Sequence, residues 1–123
     1  MASHLLDHTL LSAHDPATGR YDARRLAATL GITSKEMAAV VGYTPTGLGK
    51  NPASPRLQPK LRELVGLLNR LRALLDGRMD LVRIWLKAPH PYLEGSAPLA
   101  YLEAGKLEAV ETLVYLMESG QPG

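Results

Sequence analysis

The chain has 123 residues, of which 46% are hydrophobic and 21% charged, so it holds enough apolar material for one core and is not compositionally disordered. The absence of cysteine excludes disulfides, thiolate metal sites and cysteine nucleophiles, and no apolar run is long enough to span a membrane, so we expect a soluble cytoplasmic protein. The net charge of +2 conceals an asymmetry, because residues 1–87 hold 13 Lys/Arg and 7 Asp/Glu whereas residues 88–123 hold 1 and 5. A basic first part and an acidic second part suggest partners of opposite charge.

The N-terminal segment, residues 1–20, shows no sustained hydrophobic period, and we predict a weakly ordered arm with one helical turn near residues 5–11. His4 and His8 have the i, i+4 spacing of two metal ligands on a helix. No glutamate follows them at a metalloprotease spacing, so we predict no metal site. The sequence also lacks a phosphate-binding glycine loop and a nucleophile elbow, and we predict neither enzymatic activity nor a cofactor.

Two helices with clear end signals are predicted after the arm. Asp22 is suited to cap the first helix, and Gly31 ends it. Thr33 and Glu36 form the capping box of a second helix that runs through Val41.

The second helix and the residues after it have the spacing of a helix-turn-helix. Ala38 is the small residue at the helix crossing, Gly42 permits the positive φ of the turn, and Leu48 locks the third helix. That third helix would be the recognition helix, and it contains two glycines and one cation, so we expect modest base readout. A helical hairpin of an ordinary bundle is the alternative interpretation. The candidate DNA-binding residues are Lys35, Thr44, Thr46, Lys50, Asn51 and Arg56.

A long helix is predicted after a proline-containing hinge at residues 51–55, with Pro59 in its first turn. Its leucines have 4-3-4-3-4 spacing and so form a narrow apolar seam along one face of the helix. We assign this seam to the core, and it could in addition contribute contacts to a dimer. Charged residues of this helix, Arg72 among them, are expected to lie mostly off the seam. The seam consists of Leu57, Leu61, Leu64, Leu68, Leu71 and Leu75.

The remaining sequence predicts three more helices and a loop. One helix covers residues 80–87, a proline-rich loop follows over residues 88–98, and Ser96 begins a short helix that Gly105 stops. A striped final helix ends near Gly120. Because no segment alternates with a period of two, we predict an all-α fold. Its regions are an arm (1–20), a helix-turn-helix with the long connecting helix (21–76) and a small C-terminal helical unit (77–123).

Two segments carry a family resemblance: SPRLQPKLRELVGLLNRLRALL at residues 54–75 and WLKAPHPYLEGSAPLAYLEAG at residues 85–105. In both, the chain resembles the Xre/MbcA/ParS antitoxins, and the second segment looks like their toxin-binding unit. His90 stands where the family usually has asparagine.

The resemblance implies a cytoplasmic antitoxin that binds a RES-type, NAD-consuming toxin through its C-terminal unit and promoter DNA through its N-terminal half. Symmetric operators favour at least a homodimer, or a larger hetero-oligomer with the toxin. The acidic C-terminal part would suit a basic dinucleotide-binding cleft. Tyr92 and Leu93 are candidate anchors, and Trp85 is alternatively a core residue. The candidate toxin-binding residues are Trp85, Pro89, Pro91, Tyr92, Leu93, Glu94, Gly95, Glu118 and Gly120.

Two other functions are compatible with the sequence: a helix-turn-helix regulator without a toxin, and a helical adaptor that does not bind DNA. The charge change and the proline-rich loop both begin near residue 88. We therefore predict that removing residues 88–123 abolishes toxin neutralisation and leaves the helix-turn-helix folded.

Overall fold

A computed structural model describes residues 12–120, so the predicted turn near residues 5–11, His4 and His8 lie outside the described part. Within that part the secondary structure is helical, with one isolated bridge between His14 and Tyr21 and no strand, and the all-α prediction is confirmed. None of the helices described is long and apolar enough to cross a membrane. The α-helices are α1 (Ala23–Leu30), α2 (Ser34–Val41), α3 (Pro45–Lys50), α4 (Gln58–Leu74), α5 (Met79–Lys87), α6 (Pro98–Glu103) and α7 (Leu107–Glu118).

The predicted ends of α1 are confirmed. The Asp22 carboxylate accepts hydrogen bonds from the backbone N–H groups of Arg24 and Arg25, which would otherwise lack acceptors at the start of the helix. Gly31 has φ 67°, the left-handed conformation that ends a helix without a Cβ clash.

Helix α4 places the leucine seam in the core, as predicted. Pro59 lies in the first turn of the helix, where no backbone N–H is needed. Five seam leucines are buried, and the sixth, Leu75, is partly buried at the C-terminal cap. The buried ones are Leu57, Leu61, Leu64, Leu68 and Leu71.

Arg72 departs from the expectation that the charged residues of α4 lie off the apolar seam. Its side chain is 3% exposed, and its Nη1 atom has no hydrogen-bond partner among the described residues. The heptad pattern placed Arg72 beside Leu71 and Leu68, but it could not indicate that packing on both sides of the seam would enclose the guanidinium. A buried cation without a carboxylate costs free energy.

We therefore expect Arg72→Met to raise the free energy of unfolding by about 1–3 kcal/mol, because methionine fills a similar volume without an unpaired charge. Urea denaturation followed by circular dichroism measures this. The matched control is Arg62→Met, an exposed arginine on the same helix, which should change stability by less than about 0.5 kcal/mol. A less stable Arg72→Met protein would mean that the guanidinium has favourable interactions that methionine cannot replace.

The C-terminal helices pack directly on α2 and α4. Helix α6 lies against α2, and α7 lies against both α4 and α6. Val40 of α2, Leu64 of α4, Leu102 of α6 and Leu107 of α7 line one small apolar gap, so the core is continuous across the chain. This packing argues against the prediction that residues 88–123 can be removed without unfolding the rest, because that part of the chain covers the apolar faces of α2 and α4.

Helix α5 is joined to the C-terminal end of α1 by two cations. Arg83 Nε donates a hydrogen bond to the Thr29 carbonyl oxygen (2.8 Å), and Lys87 Nζ donates to the Gly31 carbonyl oxygen (2.6 Å). These are carbonyls that a helix end leaves without intrahelical donors, and a positive charge there is favoured by the helix dipole.

A buried amide fixes the segment before α1 to the start of α4. Gln58 Oε1 accepts a hydrogen bond from the backbone N–H of Tyr21 (2.9 Å), while Gln58 Nε2 donates to the carbonyl oxygens of Tyr21 (2.9 Å) and Ser54 (3.1 Å). Ala13 is fully buried, and its carbonyl oxygen accepts from the Asp22 N–H at 2.7 Å. Residues 13–22 are thus in contact with the core through specific bonds, which the weak hydrophobic period did not indicate.

Candidate functional site

The start of α2 and the turn between α2 and α3 are both built from local hydrogen bonds, as the sequence predicted. Thr33 Oγ1 accepts from the Glu36 N–H (3.0 Å) and Glu36 Oε1 accepts from the Thr33 N–H (2.8 Å), which completes the capping box. Gly42 has φ 75°, and Thr44 Oγ1 accepts from the Gly47 N–H at 3.0 Å. The turn therefore holds α3 at a defined angle to α2.

Helix α3 is held by one buried leucine. Leu48 and Ala38 are both fully buried, and α3 packs on α2 and α1. The helix has six residues, shorter than a usual helix, and a Cβ at Gly47 would approach Thr44 Oγ1, the capping oxygen, to 3.0 Å. Glycine at position 47 therefore leaves room for the capping oxygen of Thr44, although glycine lowers the helix propensity of α3.

All six candidate DNA-binding side chains are exposed. Thr46 and Lys50 are one turn apart on α3, Thr44 caps that helix, and Asn51 follows its last residue. Lys35 lies in the first turn of α2, and Arg56 lies in the 3₁₀ turn before α4. The structure thus brings Thr44, Thr46, Lys50 and Asn51 together on α3 and its ends.

Sequence reasoning missed a pair of exposed arginines on α1. Arg24 and Arg25 line an open cleft of about 580 Å³, together with Thr33 and Ser34 at the start of α2. Their position directly before Leu26 places them outside the apolar face of α1. That position is the signal from which they could have been found.

The proline-rich loop is closed by its own backbone. His90 N–H donates to the Ser96 carbonyl oxygen (3.1 Å), and the His90 carbonyl oxygen accepts from the N–H groups of Leu93 (3.0 Å) and Gly95 (2.9 Å). Glu94 and Gly95 both have positive φ, 57° and 80°. Helix α6 begins at Pro98 and not at Ser96 as predicted: Ala97 is its N-cap, and the backbone of Ser96 is bonded within the loop.

The loop presents one aromatic side chain and buries its neighbour. Tyr92 is 46% exposed, whereas Leu93 is 1% exposed and faces the interior. Four more of the predicted toxin-binding residues of the loop are exposed. Leu93 therefore packs the loop on the fold, and Tyr92 is the more exposed of the two predicted anchors. The exposed neighbours are Pro89, Pro91, Glu94 and Gly95.

Trp85 lies beneath the loop. It is partly buried against the core, and its ring centroid is 5.9 Å from that of His90. His90 Nδ1 is buried and has no hydrogen-bond partner within the described residues, so the loop is closed by the His90 backbone and not by its side chain.

Glu118, a predicted toxin-binding residue, pairs with Arg70 across α7 and α4. Arg70 Nη2 lies 2.6 Å from Glu118 Oε1, and Arg70 Nε lies 3.2 Å from Glu118 Oε2. The hydrogen bond from Arg70 lowers the pKa of the Glu118 carboxyl, so the pair's contribution is present at neutral pH and is lost as the pH falls through that lowered pKa. A partner that uses Glu118 must compete with Arg70. Gly120 ends the described chain with φ 76°.

The part of the chain that holds the loop, Trp85 and the Arg70–Glu118 pair matches a known family. Residues 70–120 match the family model of the antitoxin Xre/MbcA/ParS C-terminal toxin-binding domain. This segment belongs to the Xre/MbcA/ParS antitoxins. We call residues 70–120 the toxin-binding domain.

The toxin-binding domain begins inside α4 and extends to the end of α7. All nine candidate toxin-binding residues lie within it. No curated protein and no solved structure matches the chain. In residues 12–120 no group of three or more His, Cys, Asp or Glu side chains is placed to hold a metal ion.

Proposed function

We propose that this chain is the antitoxin of a type II toxin-antitoxin system, that it neutralises a RES-type, NAD-consuming toxin, and that it represses its own operon by binding promoter DNA. The observation that carries this proposal is the match of residues 70–120 to a toxin-binding domain of this antitoxin family. The chain acts by binding in the cytoplasm, with no enzymatic activity and no cofactor of its own.

The toxin contact in this proposal is the closed loop after α5. A loop already fixed by its own hydrogen bonds loses little conformational entropy on docking, and an exposed tyrosine on it offers a large contact area. Glu94 beside Tyr92 adds a negative charge suited to a cleft that binds an anionic dinucleotide. Pro89 and Pro91 lie at the rim of the same surface.

We expect the double substitution Tyr92→Ala with Glu94→Lys to weaken binding to the toxin of the same operon by at least about 10-fold, because interface anchors of this kind contribute most of the binding energy. Calorimetric titration measures the affinity, and NAD loss in the presence of the toxin measures neutralisation. The control is Tyr115→Ala, since Tyr115 is an exposed tyrosine of the same domain outside the loop. A normal affinity of the loop variant together with a weakened Tyr115→Ala would assign the toxin contact to α7.

The DNA part of the proposal is supported by the helix-turn-helix geometry and by the charge of the surface around it. Lys35, Lys50 and Arg56 are exposed there, and Arg24 and Arg25 add two cations beside α2. Since α3 is short and carries a single cation, phosphate contacts dominate over base contacts. A two-fold operator would be bound by a homodimer of the chain, alone or within a larger complex with the toxin.

Five phosphate contacts per chain predict a steep salt dependence. We expect the DNA affinity of a single chain to fall on the order of 10²- to 10³-fold between 50 and 200 mM salt, and that of a homodimer, with twice as many phosphate contacts, on the order of 10⁵-fold. Fluorescence anisotropy with the upstream promoter duplex measures it. Lys50→Ala should weaken binding to promoter and unrelated duplexes alike, whereas Thr46→Ala should also reduce the preference for the promoter. Lys60→Ala, an exposed cation on α4 outside this surface, is the control.

One observation favours a second candidate function. Helix α3 has six residues, two of them glycine, which is poor for a recognition helix. If no duplex binds even at low salt while the toxin is still bound, the chain is a helical adaptor for the toxin. If DNA is bound and no RES-domain toxin is encoded beside the gene, it is a regulator without a toxin.

A further inference from the structure

Two residues other than glycine have positive φ in the described part of the chain. Asp76 has φ 58° just after α4, and Glu94 has φ 57° in the proline-rich loop. Each is followed by a glycine that also has positive φ, Gly77 at 75° and Gly95 at 80°. The chain therefore contains the same left-handed two-residue turn twice, once beginning with aspartate and once with glutamate.

The two side chains are not equally suited to this backbone conformation. In the left-handed region the Cβ of an L-residue lies too close to the following carbonyl oxygen, which costs free energy for every residue except glycine. Aspartate and asparagine are enriched there, because their short polar side chains can bond to the adjacent backbone. The carboxylate of Glu94 is one methylene further from its own backbone, so Glu94 carries the strain without that compensation.

The Glu94 side chain makes no bond within the described fold. It is exposed, and it forms no ion pair and accepts no hydrogen bond from any residue described. The loop uses only the backbone of Glu94, whose N–H donates to the Pro91 carbonyl oxygen at 3.1 Å. Asparagine or glycine at this position would make the same bond. The glutamate side chain is thus neither required for closing the loop nor favoured by its backbone conformation.

We infer that Glu94 is a specificity-determining residue of the toxin contact, and that its carboxylate pairs with a basic side chain of the toxin, arginine or lysine. Residues in unfavourable backbone conformations cluster at binding sites, where the interaction with a partner offsets the strain. Glu94 lies in the toxin-binding domain, on the same closed loop as the exposed Tyr92. This inference rests on the proposed function, and it adds the chemical group that Glu94 recognises and the loss of stability that accompanies it.

Glu94→Gln separates the charge from the backbone strain. Glutamine has the same length and would have the same unfavourable φ, so the melting temperature should change by less than about 2 °C. The affinity for the RES-domain toxin of the same operon should fall roughly 10-fold, because the ion pair is lost. The affinity of the unmodified chain should also decrease more steeply with salt than that of Glu94→Gln, since salt screens only the charged form. Calorimetric titration at two salt concentrations measures both effects.

Glu94→Asn removes the charge and the strain together. Asparagine is favoured at positive φ, so the melting temperature should rise by about 2–5 °C while the toxin affinity falls as it does in Glu94→Gln. The matched control is Asp76→Asn in the other turn, where φ is nearly the same and the residue is already suited to it. This control should change the melting temperature by less than about 2 °C and leave the toxin affinity unchanged.

The outcomes separate this inference from the proposed function. If the unmodified chain binds the toxin and Glu94→Gln binds it equally well, the inference is overturned and the proposed function stands. Equal losses of affinity in Asp76→Asn and Glu94→Asn also overturn it, because the effect would then belong to negative charge in general. A lower affinity without a higher melting temperature in Glu94→Asn overturns the link to backbone strain. An unmodified chain that does not bind the toxin overturns the proposed function, and this inference with it.

Discussion

Removing residues 88–123 is expected to abolish cooperative folding of the remaining 87 residues. The deleted part contributes six buried apolar side chains, and its helices cover α2 and α4. At roughly 1.5–3 kcal/mol for each buried side chain, their burial amounts to on the order of 10 kcal/mol, comparable to the total stability of a small domain. The six are Leu93, Leu99, Leu102, Val110, Leu113 and Val114.

Thermal unfolding followed by circular dichroism, with fluorescence of the single tryptophan, Trp85, tests this. The truncated chain should show reduced helix content and no cooperative transition. The control lacks only residues 119–123, which follow α7, and should unfold with nearly the full-length transition. A cooperative transition in the 87-residue fragment would show that α1 to α5 are stable without α6 and α7.

Gln58→Ala is expected to lower the free energy of unfolding by about 2–4 kcal/mol. The amide makes three hydrogen bonds, and its loss leaves the N–H and C=O of Tyr21 and the C=O of Ser54 without those partners. A buried polar group left unsatisfied costs about 1–3 kcal/mol, more than the net gain from a typical hydrogen bond. Chemical denaturation of the full chain measures the change.

Asn69→Ala is the matched control, because Asn69 is an amide on the same helix and is exposed. It should change stability by less than about 0.5 kcal/mol. Gln58→Glu separates the roles of the two amide atoms, since a carboxylate still accepts from Tyr21 N–H but cannot donate to the two carbonyls. We expect Gln58→Glu to be destabilised as well. A stability equal to that of the unmodified chain in both variants would mean that water replaces the amide without cost.

The helix boundaries could be predicted because they depend on neighbouring residues. Asp22, the Thr33 and Glu36 pair, and Thr44 each cap a helix through bonds that span two or three residues. Gly42 takes the left-handed conformation that only a glycine adopts readily. These features are local, so one sequence contains all the information they need.

Features that depend on distant contacts could not be predicted. Arg72 is buried, and the Gln58 amide makes three hydrogen bonds, where segments far apart in sequence meet. The packing of α6 on α2 also depends on distant contacts. The charge change near residue 88 suggested that residues 88–123 could be removed, whereas the apolar core is continuous across that point. The distribution of charged residues along the chain indicates which partners it can bind. It does not indicate whether the chain folds around one hydrophobic core or two, because that depends on packing.

The sequence indicated which residues belong to the candidate site, but it predicted only in part which of them are exposed. The exposure of Tyr92 agrees with an anchor, but Leu93, its neighbour, is enclosed because the loop turns back on His90. Ile84 and Tyr115 are exposed, and neither of them was singled out from the sequence.

The continuity of the core between α2 and α6 has a consequence for hydrogen exchange. Amide protons exchange only when their helix opens, and helices that cannot open separately share one opening free energy. The backbone amides of α2, in the half with the predicted helix-turn-helix, and those of α6, in the toxin-binding domain, should therefore exchange at rates set by the same event. A ligand that slows exchange in one of these helices will slow it in the other, although the two are separated by more than fifty residues of sequence.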